Sequence, residues 1–527
     1  MAALALVAVS GDEAADPRTP SALAGEPPPF LGMAVVGSGE LTAAVDAYGD
    51  VVDLRSSPAG SALIENPAAR QAAGTVDVGA GIVPRVSFDD GPALAMWEAD
   101  EIAQRYVDGT NVVETLARFG DVKVTVIAGA AGEELGFVVR ASGGEAEPSV
   151  GVAVSDGVRC RRKRKPGQLH LLCRVGGAVP VSSGAAAVIR KAGHADQRWL
   201  DRARPLGASA PAWAGAMYER SLLTLRALMD ARTGAVAAGA RDGWAYVWPR
   251  DAGTAAIAFA EAGYRREARQ AAWFLAWAKL DQAARFHGDG SPVPGRAAQG
   301  DAIGWTAAAV EAAGLGSAGK ATRLLRRSNR VPWRDRADYQ EGEPGNYLGN
   351  AISSRAWSVV HATASKSGRG REGETFETPR GLMRRENDPN SGLDSAAAWA
   401  AKPFAQPSLY PAVRRTLSAL VADATPYGIT PGSAWHGGED PWTAPTAWTA
   451  WAFAALAASP GSPDPAADRR QALALVADLR RAARPSGALP ERVDVRTGVP
   501  TSTTPLAWTH AFTVLALREL WPSGGQL

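Results

Sequence analysis

The segment Tyr246-Val-Trp-Pro-Arg-Asp251 combines aromatic rings, a cation and a carboxylate within six residues. Its proline favours the first turn of a helix, where the missing N–H needs no partner. Four side chains would then meet at the start of that helix: Tyr246, Trp248, Arg250 and Asp251. A fork of hydrogen-bond donors, an acceptor and flat apolar faces suit a polyhydroxylated ring such as a sugar. A buried Arg–Asp pair that only closes a helix end is the alternative.

Three further segments contain residues of similar chemical types. They are Gln299-Gly-Asp301-Ala-Ile-Gly-Trp305, Gly437-Gly-Glu-Asp-Pro-Trp442 with Thr446-Ala-Trp448, and Gly487-Ala-Leu-Pro-Glu491 with Pro505-Leu-Ala-Trp508-Thr-His510. In the order and spacing of these four segments, the chain resembles the bacterial glucoamylase-type and glucodextranase-like enzymes of glycoside hydrolase family 15. The likeness runs from about Phe30 to Trp521 and is best supported after Trp213.

The resemblance implies a pair of catalytic glutamates. Glycosidic hydrolysis needs one carboxylic acid to protonate the leaving oxygen and one carboxylate to act on water or carbon. Glu491 matches the base of the family, and a surface glutamate in a turn is the alternative. The best match to the family's acid segment is Asp338-Tyr-Gln-Glu341. Glu341 therefore takes the acid position, and Glu343 is the fallback.

Two residues near these glutamates depart from the family pattern. Gln340 replaces an aromatic residue that would desolvate the acid and raise its pKa, so we expect the working pH or the subsite to differ. Arg492 stands where the family often has glutamine. A cation beside Glu491 lowers the pKa of that carboxyl and keeps it ionised, which favours work as a base.

The resemblance also implies which side chains bind substrate. Arg250 and Asp251 would bind hydroxyls of the terminal, non-reducing glucose. Aromatic residues would line the pocket: Tyr246, Trp248, Trp305 and Trp442. For Trp305 and Trp442, packing in the core is the alternative.

The implied activity is that of an exo-acting, inverting hydrolase that releases glucose from the non-reducing ends of malto- or isomalto-oligosaccharides. Inversion requires two carboxyl groups ~6.5–9.5 Å apart, which leaves room for a water molecule. A trehalase of the same family is one alternative. A glycan-binding or structural protein that has lost activity is another, and the altered acid segment favours it.

The chain changes character near Arg204–Pro211. Before it, short alternating runs such as 122–127 predict an antiparallel β-sandwich. After it come helical runs of ten to twenty residues, roughly twelve if one more lies near 375–385. The resemblance implies an (α/α)6 toroid, and an open α-solenoid is the alternative, although no fixed repeat is present. We therefore expect a leader at 1–29, a sandwich at 30–203 and a toroid at 204–527.

Composition gives no reason to expect a partner other than the saccharide. The net charge is +2, and no apolar run approaches the ~20 residues of a spanning helix. The six histidines are scattered and no nucleotide-binding fingerprint is present, so we expect no metal and no cofactor. The basic run 161–165 resembles a nucleic-acid patch, but a solvated hairpin arm is the preferred interpretation. We expect a monomer that binds no nucleic acid.

The two cysteines flank a predicted hairpin. If Pro166-Gly167 form its turn, outward counting places Cys160 opposite Cys173 in a non-hydrogen-bonded pair, at ~4.5 Å between Cα atoms. A disulfide tolerates that distance, and it would indicate an oxidising compartment. Two reduced cysteines are the alternative. The apolar start at 1–10 resembles the core of a signal peptide without its basic residues. We therefore expect a secreted or extracytoplasmic protein, and otherwise a cytoplasmic one.

Overall fold

A computed structural model of the chain describes residues 33–65, 81–89, 91–144, 148–155, 157–175, 184–241, 243–316, 319–328, 333–340, 342–360 and 373–524. The predicted leader at 1–29 and the predicted acid Glu341 lie outside the described residues. The chain forms an antiparallel β-sandwich followed by an (α/α)6 toroid, the fold class expected from the sequence.

Two antiparallel sheets form the sandwich. The first has the strand order β1-β2-β3-β5-β11, with β4 beside β3 and β6 beside β5. Its strands are β1 (Met33–Gly37), β2 (Thr42–Asp46), β3 (Val51–Arg55), β4 (Ala62–Glu65), β5 (Ile82–Ser87), β6 (Leu94–Ala95) and β11 (Ser149–Val154). The second has the order β12-β13-β10-β9-β8-β7. Its strands are β7 (Glu101–Tyr106), β8 (Val113–Phe119), β9 (Val122–Ala131), β10 (Glu134–Ser142), β12 (Arg159–Lys165) and β13 (Gln168–Arg174).

The alternation of side chains explains why these segments pair as strands. In β9, Val122, Val124 and Val126 are buried, whereas Lys123 between them is exposed. One face of each strand therefore enters the core between the sheets, as a period of two requires. The other face of the second sheet is covered by α1 (Ala185–Leu200), which packs on β9 and β10.

The hairpin of β12 and β13 has the register counted from its turn, with Lys165 opposite Gln168 and Cys160 opposite Cys173. The two cysteines form a disulfide, with 4.1 Å between their Cα atoms. The basic run lies in β12, the outer strand of its sheet, and most of its side chains are exposed.

The toroid has an inner and an outer layer of helices. Among the described residues, the inner ring consists of α3 (Pro249–Glu261), α5 (Ala302–Ala312), α7 (Leu348–Val360), the 3-10 helix Ser395–Ala400, α9 (Thr443–Ala458) and α11 (Ala507–Leu520). Each packs on the next, and α11 closes the ring on α3. The outer helices in the same described part are α2 (Ala212–Leu228), α4 (Arg265–Trp277), α6 (Lys320–Ser328), α8 (Tyr410–Ala422) and α10 (Pro465–Ala482).

Glycines let neighbouring inner helices approach closely. A Cβ atom on Gly304 of α5 would lie 2.3 Å from the carbonyl oxygen of Ser353 in α7. A Cβ atom on Gly349 of α7 would lie 2.7 Å from the ring of Trp399, in the following 3-10 helix. Neither glycine leaves room for a Cβ atom, which explains why Gly occurs inside these helices despite its unfavourable propensity.

The helix predicted near 375–385 is wrong. The chain there forms a 3-10 turn at Glu374–Phe376 and a small hairpin of β14 (Glu377–Thr378) and β15 (Gly381–Leu382). Pro379 cannot continue a helical hydrogen-bond ladder, and Gly381 has a φ of +136°, far from the helical region.

The sandwich and the toroid share a buried polar contact. The guanidinium of Arg220 in α2 lies 3.6 Å from the ring centroid of Tyr106 in β7 and donates to the carbonyl of Thr110 at 2.9 Å. It also donates to the side chain of Asn111, whose backbone N–H donates to Asp196 of α1. The sandwich therefore holds the helix on which α11 packs. None of the described helices is long and apolar enough to cross a membrane.

We expect Gly304→Ala to destabilise the toroid by about 1–3 kcal/mol, because the new methyl group meets backbone atoms. Gly215→Ala is the matched control, since Gly215 also lies in a helix but its Cβ would meet nothing within 4 Å. That control should be neutral or stabilising by up to about 1 kcal/mol. Unfolding midpoints in urea measure both, and equal midpoints for the two variants would contradict the close-approach argument.

Candidate active site

A cavity of about 350 Å³ lies where three inner helices begin. Its lining includes the residue before each of them: Trp248 before α3, Trp442 before α9 and Leu506 before α11. Unpaired N–H groups and the helix dipole make such ends favourable for negative charge. The volume falls in the range of ~300–1,000 Å³ typical of sites for small molecules.

The backbone of Glu491 is held between α9 and the segment before α11. Its N–H donates to the carbonyl of Thr503 at 2.8 Å, and its carbonyl accepts from the N–H of Thr443 at 3.0 Å. The hydroxyl of Thr443 donates to the carbonyl of Pro490 as well. These contacts fix where the carboxylate of Glu491 enters the cavity.

His510 of α11 supports the same segment through a hydrogen bond. The N–H of Leu489 donates to its Nε2 at 3.1 Å, so the ring proton is on Nδ1, 3.0 Å from the hydroxyl of Ser221. Burial, helped by the nearby charge of Arg220, lowers the pKa of His510 to about 3. The histidine is therefore neutral and acts as a structural acceptor.

The carboxylate of Glu491 lies under opposing influences. Burial raises its pKa, whereas the hydroxyl of Ser502 and the side chain of Trp244 donate hydrogen bonds to it and lower its pKa. The charges of Arg492 and Arg296 lower its pKa further. Burial is the largest of these effects and the pKa is raised above its ordinary value, but four neighbours limit the rise by stabilising the ionised form, which a base needs before it can accept a proton.

Arg250 is held by residues of the second sequence segment. Its Nη1 donates to Asp301 at 2.7 Å and to the side-chain oxygen of Gln299 at 3.2 Å. The guanidinium carbon lies 4.6 Å from the ring centroid of Trp508. Asp301 is almost fully buried, and its charge compensates that of Arg250 and fixes the guanidinium at the cavity wall.

Asp251 also lines the cavity. Burial raises its pKa to about 7; the charge of Arg250 opposes this rise, while Glu491 adds to it. Near neutral pH the side chain therefore exists partly as the neutral acid, which can donate a hydrogen bond as well as accept one.

The segment of the predicted acid borders the same cavity. Gln340 lines it, and the backbone N–H groups of Gln340 and Gly342 donate to the carboxylate of Asp338 at 3.1 and 3.4 Å. Arg384 pairs with both oxygens of that carboxylate. The fallback acid Glu343 is exposed and does not line the cavity.

The predicted aromatic residues occupy different places. Trp248 and Trp442 line the cavity. Tyr246 lies outside the lining, with its ring against Trp248 and 4.8 Å from the guanidinium of Arg285. Trp305 is 0% exposed and packs at 5.2 Å against Trp399, so it belongs to the core of the toroid. The structure brings together Glu491, Arg250 and Asp251 with two of the four aromatic residues.

Sequence reasoning did not select several residues of the lining: Trp244, Arg296, Tyr339, Trp435, Ser502 and Trp508. Tyr339 and Trp508 lie inside the motif segments given above, so their place in the sequence could have identified them as lining residues. Ser502 and Arg296 lie in loops, and their side chains reach the cavity only because the toroid closes. In the described part of the chain, no group of three or more His, Cys, Asp or Glu side chains is suited to a metal ion.

A pH series can measure the effect of burying Asp251. Because its native pKa is raised from 3.8 to about 7, the native state binds the extra proton between these values, and the free energy of unfolding falls as pH rises through this window. The asparagine of Asp251→Asn does not titrate, so the variant does not lose stability in this way. We therefore expect its free energy of unfolding, compared with that of wild type, to rise by up to about 4 kcal/mol from pH 4 to pH 7.

Urea unfolding at pH 4, 5.5 and 7 measures this difference. Asp289→Asn is the control, because Asp289 is exposed and hydrogen bonds from Ser291 lower its pKa below 3.8. The free energy of unfolding of Asp289→Asn should differ from that of wild type by the same amount at all three pH values. A flat difference for Asp251→Asn too would contradict the raised pKa.

Known structures show which fold surrounds this cavity. A bacterial glucoamylase solved in complex with acarbose superposes with a TM-score of 0.64 at 13% identity, over 95% of this chain and 96% of that one. A wild-type glycosidase aligns at a TM-score of 0.48 and 18% identity, over 59% of this chain and 97% of its own. The glucoamylase of Saccharomycopsis fibuligera aligns at 0.47 and 15% identity, over 60% and 97%.

No protein-family profile matches the chain, and no curated protein matches it. The similarity is thus one of structure and covers almost the whole length of the bacterial glucoamylase. The chain has the glucoamylase-like fold, a β-sandwich joined to an (α/α)6 toroid.

Proposed function

We propose that the protein is an exo-acting, inverting glycoside hydrolase that releases glucose from the non-reducing ends of α-glucosides, with malto- or isomalto-oligosaccharides as substrates. The observation that carries this proposal is the setting of Glu491. It is a carboxylate fixed by its backbone at the wall of a cavity of about 350 Å³, where two hydrogen-bond donors and two arginines oppose the rise of its pKa on burial. A positioned carboxylate at the wall of a cavity is what a catalytic base requires.

Glu491 acts on water in this mechanism. A water molecule attacks the anomeric carbon from the face opposite the leaving group, and Glu491 takes its proton. Glu341 gives its own proton to the glycosidic oxygen as the bond to carbon breaks. The products are β-glucose and a shortened saccharide, with Glu491 protonated and Glu341 ionised until the two groups exchange protons with solvent.

Two neighbours of the base would hold the terminal glucose. Arg250, fixed by Asp301, offers N–H donors, and Asp251 offers either an acceptor or a donor near neutral pH. Trp248 and Trp442 supply apolar faces against which a sugar ring can stack. A cavity that offers both kinds of group can bind the terminal ring of a chain.

We expect Glu491→Gln to reduce glucose release from maltose or isomaltose by about 10²–10⁴-fold, because glutamine cannot accept the proton. Glu341→Gln should cause a loss of similar size. Glu439→Gln is the control, since Glu439 is exposed and outside the cavity lining. The release of β-glucose, followed by proton NMR, tests inversion.

Other substrates and variants separate the alternatives. Glucose released from trehalose in preference to maltose would identify a trehalase. Full activity of Glu491→Gln would overturn the assignment of the base. If Glu343→Gln loses glucose release while Glu341→Gln keeps it, the catalytic acid is Glu343. Sugar binding without release from any of these substrates would overturn the hydrolase proposal.

The pH profile tests the arginine beside the base. Arg492 lowers the pKa of Glu491, so Arg492→Gln should raise it. Because the base must be ionised, the acidic limb of kcat/KM on maltose should move to higher pH. Arg496→Gln, an exposed arginine four residues later, should leave the limb in place. A limb that stays or moves to lower pH in Arg492→Gln would contradict the charge argument.

A further inference from the structure

Three arginines line the described part of the cavity. Arg250 is matched by Asp301 at 2.7 Å. Arg296 and Arg492 line the cavity too, and both act on the single carboxylate of Glu491. The remaining carboxyl of the described lining, Asp251, has a pKa of about 7 and is only partly ionised near neutral pH. Arg492 therefore places a cation in this wall beside Glu491.

The unpartnered groups of the lining are of one kind. Among the described residues, five lining side chains have a buried nitrogen without a hydrogen-bond partner, and each of these is an N–H donor. They are Arg250 Nε, Trp435 Nε1, Trp442 Nε1, Arg492 Nε and Trp508 Nε1. No oxygen of a described lining residue is in this state. Buried donors gain most from a ligand that brings acceptors.

Three of these donors belong to neighbouring residues and define one subsite. The backbones of Trp442 and Arg492 pair as an antiparallel bridge. The rings of Trp435 and Trp442 lie 5.3 Å apart in an edge-to-face contact. We call Trp435, Trp442 and Arg492 the donor subsite. It directly adjoins Glu491 along the chain, and it lies where α9 begins.

The donor subsite favours a group that accepts hydrogen bonds without donating any. Each hydroxyl group donates one hydrogen bond and needs an acceptor, whereas a carboxylate or phosphate oxygen only accepts. Hydrogen bonds from an arginine to such an oxygen are roughly twice as strong as neutral ones, and a helix N-terminus adds to them.

We propose that the donor subsite binds an anionic oxygen group, a carboxylate or a phosphate ester, carried by the saccharide substrate. This inference rests on the proposed function, because that function identifies the ligand as a saccharide. Arg492 is the specificity-determining residue, since it supplies both the charge and a fork of donors.

Arg492 has a second effect that the experiment must separate. It shifts the ionisation of Glu491, and this changes the rate for every substrate alike. Direct contact with an anionic group changes only the acidic member of a matched pair. The ratio of the two members therefore isolates the contact.

Calorimetric binding of glucose, glucuronate and glucose 6-phosphate to the full chain tests the subsite without catalysis. We expect at least one of the two anions to bind about 10-fold or more tightly than glucose, and added salt to reduce the difference. Preference for glucuronate identifies a carboxylate, and preference for glucose 6-phosphate identifies a phosphate ester. Equal binding of all three overturns the proposal.

Variants assign the effect to the subsite. Arg492→Gln should abolish the preference for the anion over glucose, and Arg492→Lys should restore part of it. Arg496→Gln removes an equal charge from the same segment and should leave the preference unchanged. A preference that survives Arg492→Gln, or is lost equally in Arg496→Gln, overturns the proposal.

Hydrolysis shows which sugar carries the group. The matched pairs are 4-nitrophenyl α-glucoside with the corresponding α-glucuronide, and maltose with maltobionate. Arg492→Gln should lower the ratio of kcat/KM for the acidic member to kcat/KM for the neutral member in one pair only. Hydrolysis of neutral glucosides with no acidic preference defeats this inference and leaves the proposed function intact. Arg492-dependent binding of the acid sugars without any hydrolysis supports the subsite and defeats the proposed function.

Discussion

The close contact of neighbouring inner helices is the constraint on which the rest of the toroid depends. Gly304 and Gly349 admit the backbone of α7 and the ring of Trp399 at distances where no Cβ atom fits. On the other side of the ring, Trp448 fills the space between the 3-10 helix and α11, 5.4 Å from Trp399 and 5.3 Å from Trp508. Small residues on one side and large aromatic rings on the other allow the six inner segments to close into a ring.

Closure places the starts of three inner helices around one cavity, which explains how residues far apart in the chain act together. Glu491 is held by Thr443 at the start of α9 and by Thr503 shortly before α11. His510 supports the same segment through Leu489 and contacts Ser221 of α2. The packing of α2, α9 and α11 therefore determines where the carboxylate lies.

Burial disfavours the charged side chains that line the cavity, and each of them has its own neighbours that offset this cost. Asp301 compensates Arg250 through an ion pair in the core. Glu491 stays ionisable because Ser502 and Trp244 donate to it and two arginines lie near. Asp251 receives less compensation, so its pKa rises to about 7. The cavity thus contains carboxyl groups whose pKa values are set by different neighbours.

The sequence by itself determined the order of the elements and the chemical types at the site. Alternation in β9 predicts a strand, Pro249 begins α3, and counting from the 166–167 turn gives the register of the cysteines, because each depends on local geometry. Only the tertiary structure decided that Trp305 is core while Ser502 and Arg296 reach the cavity. Those outcomes depend on which helices pack together when the ring closes, and contacts between residues so distant in sequence leave no local periodicity to read.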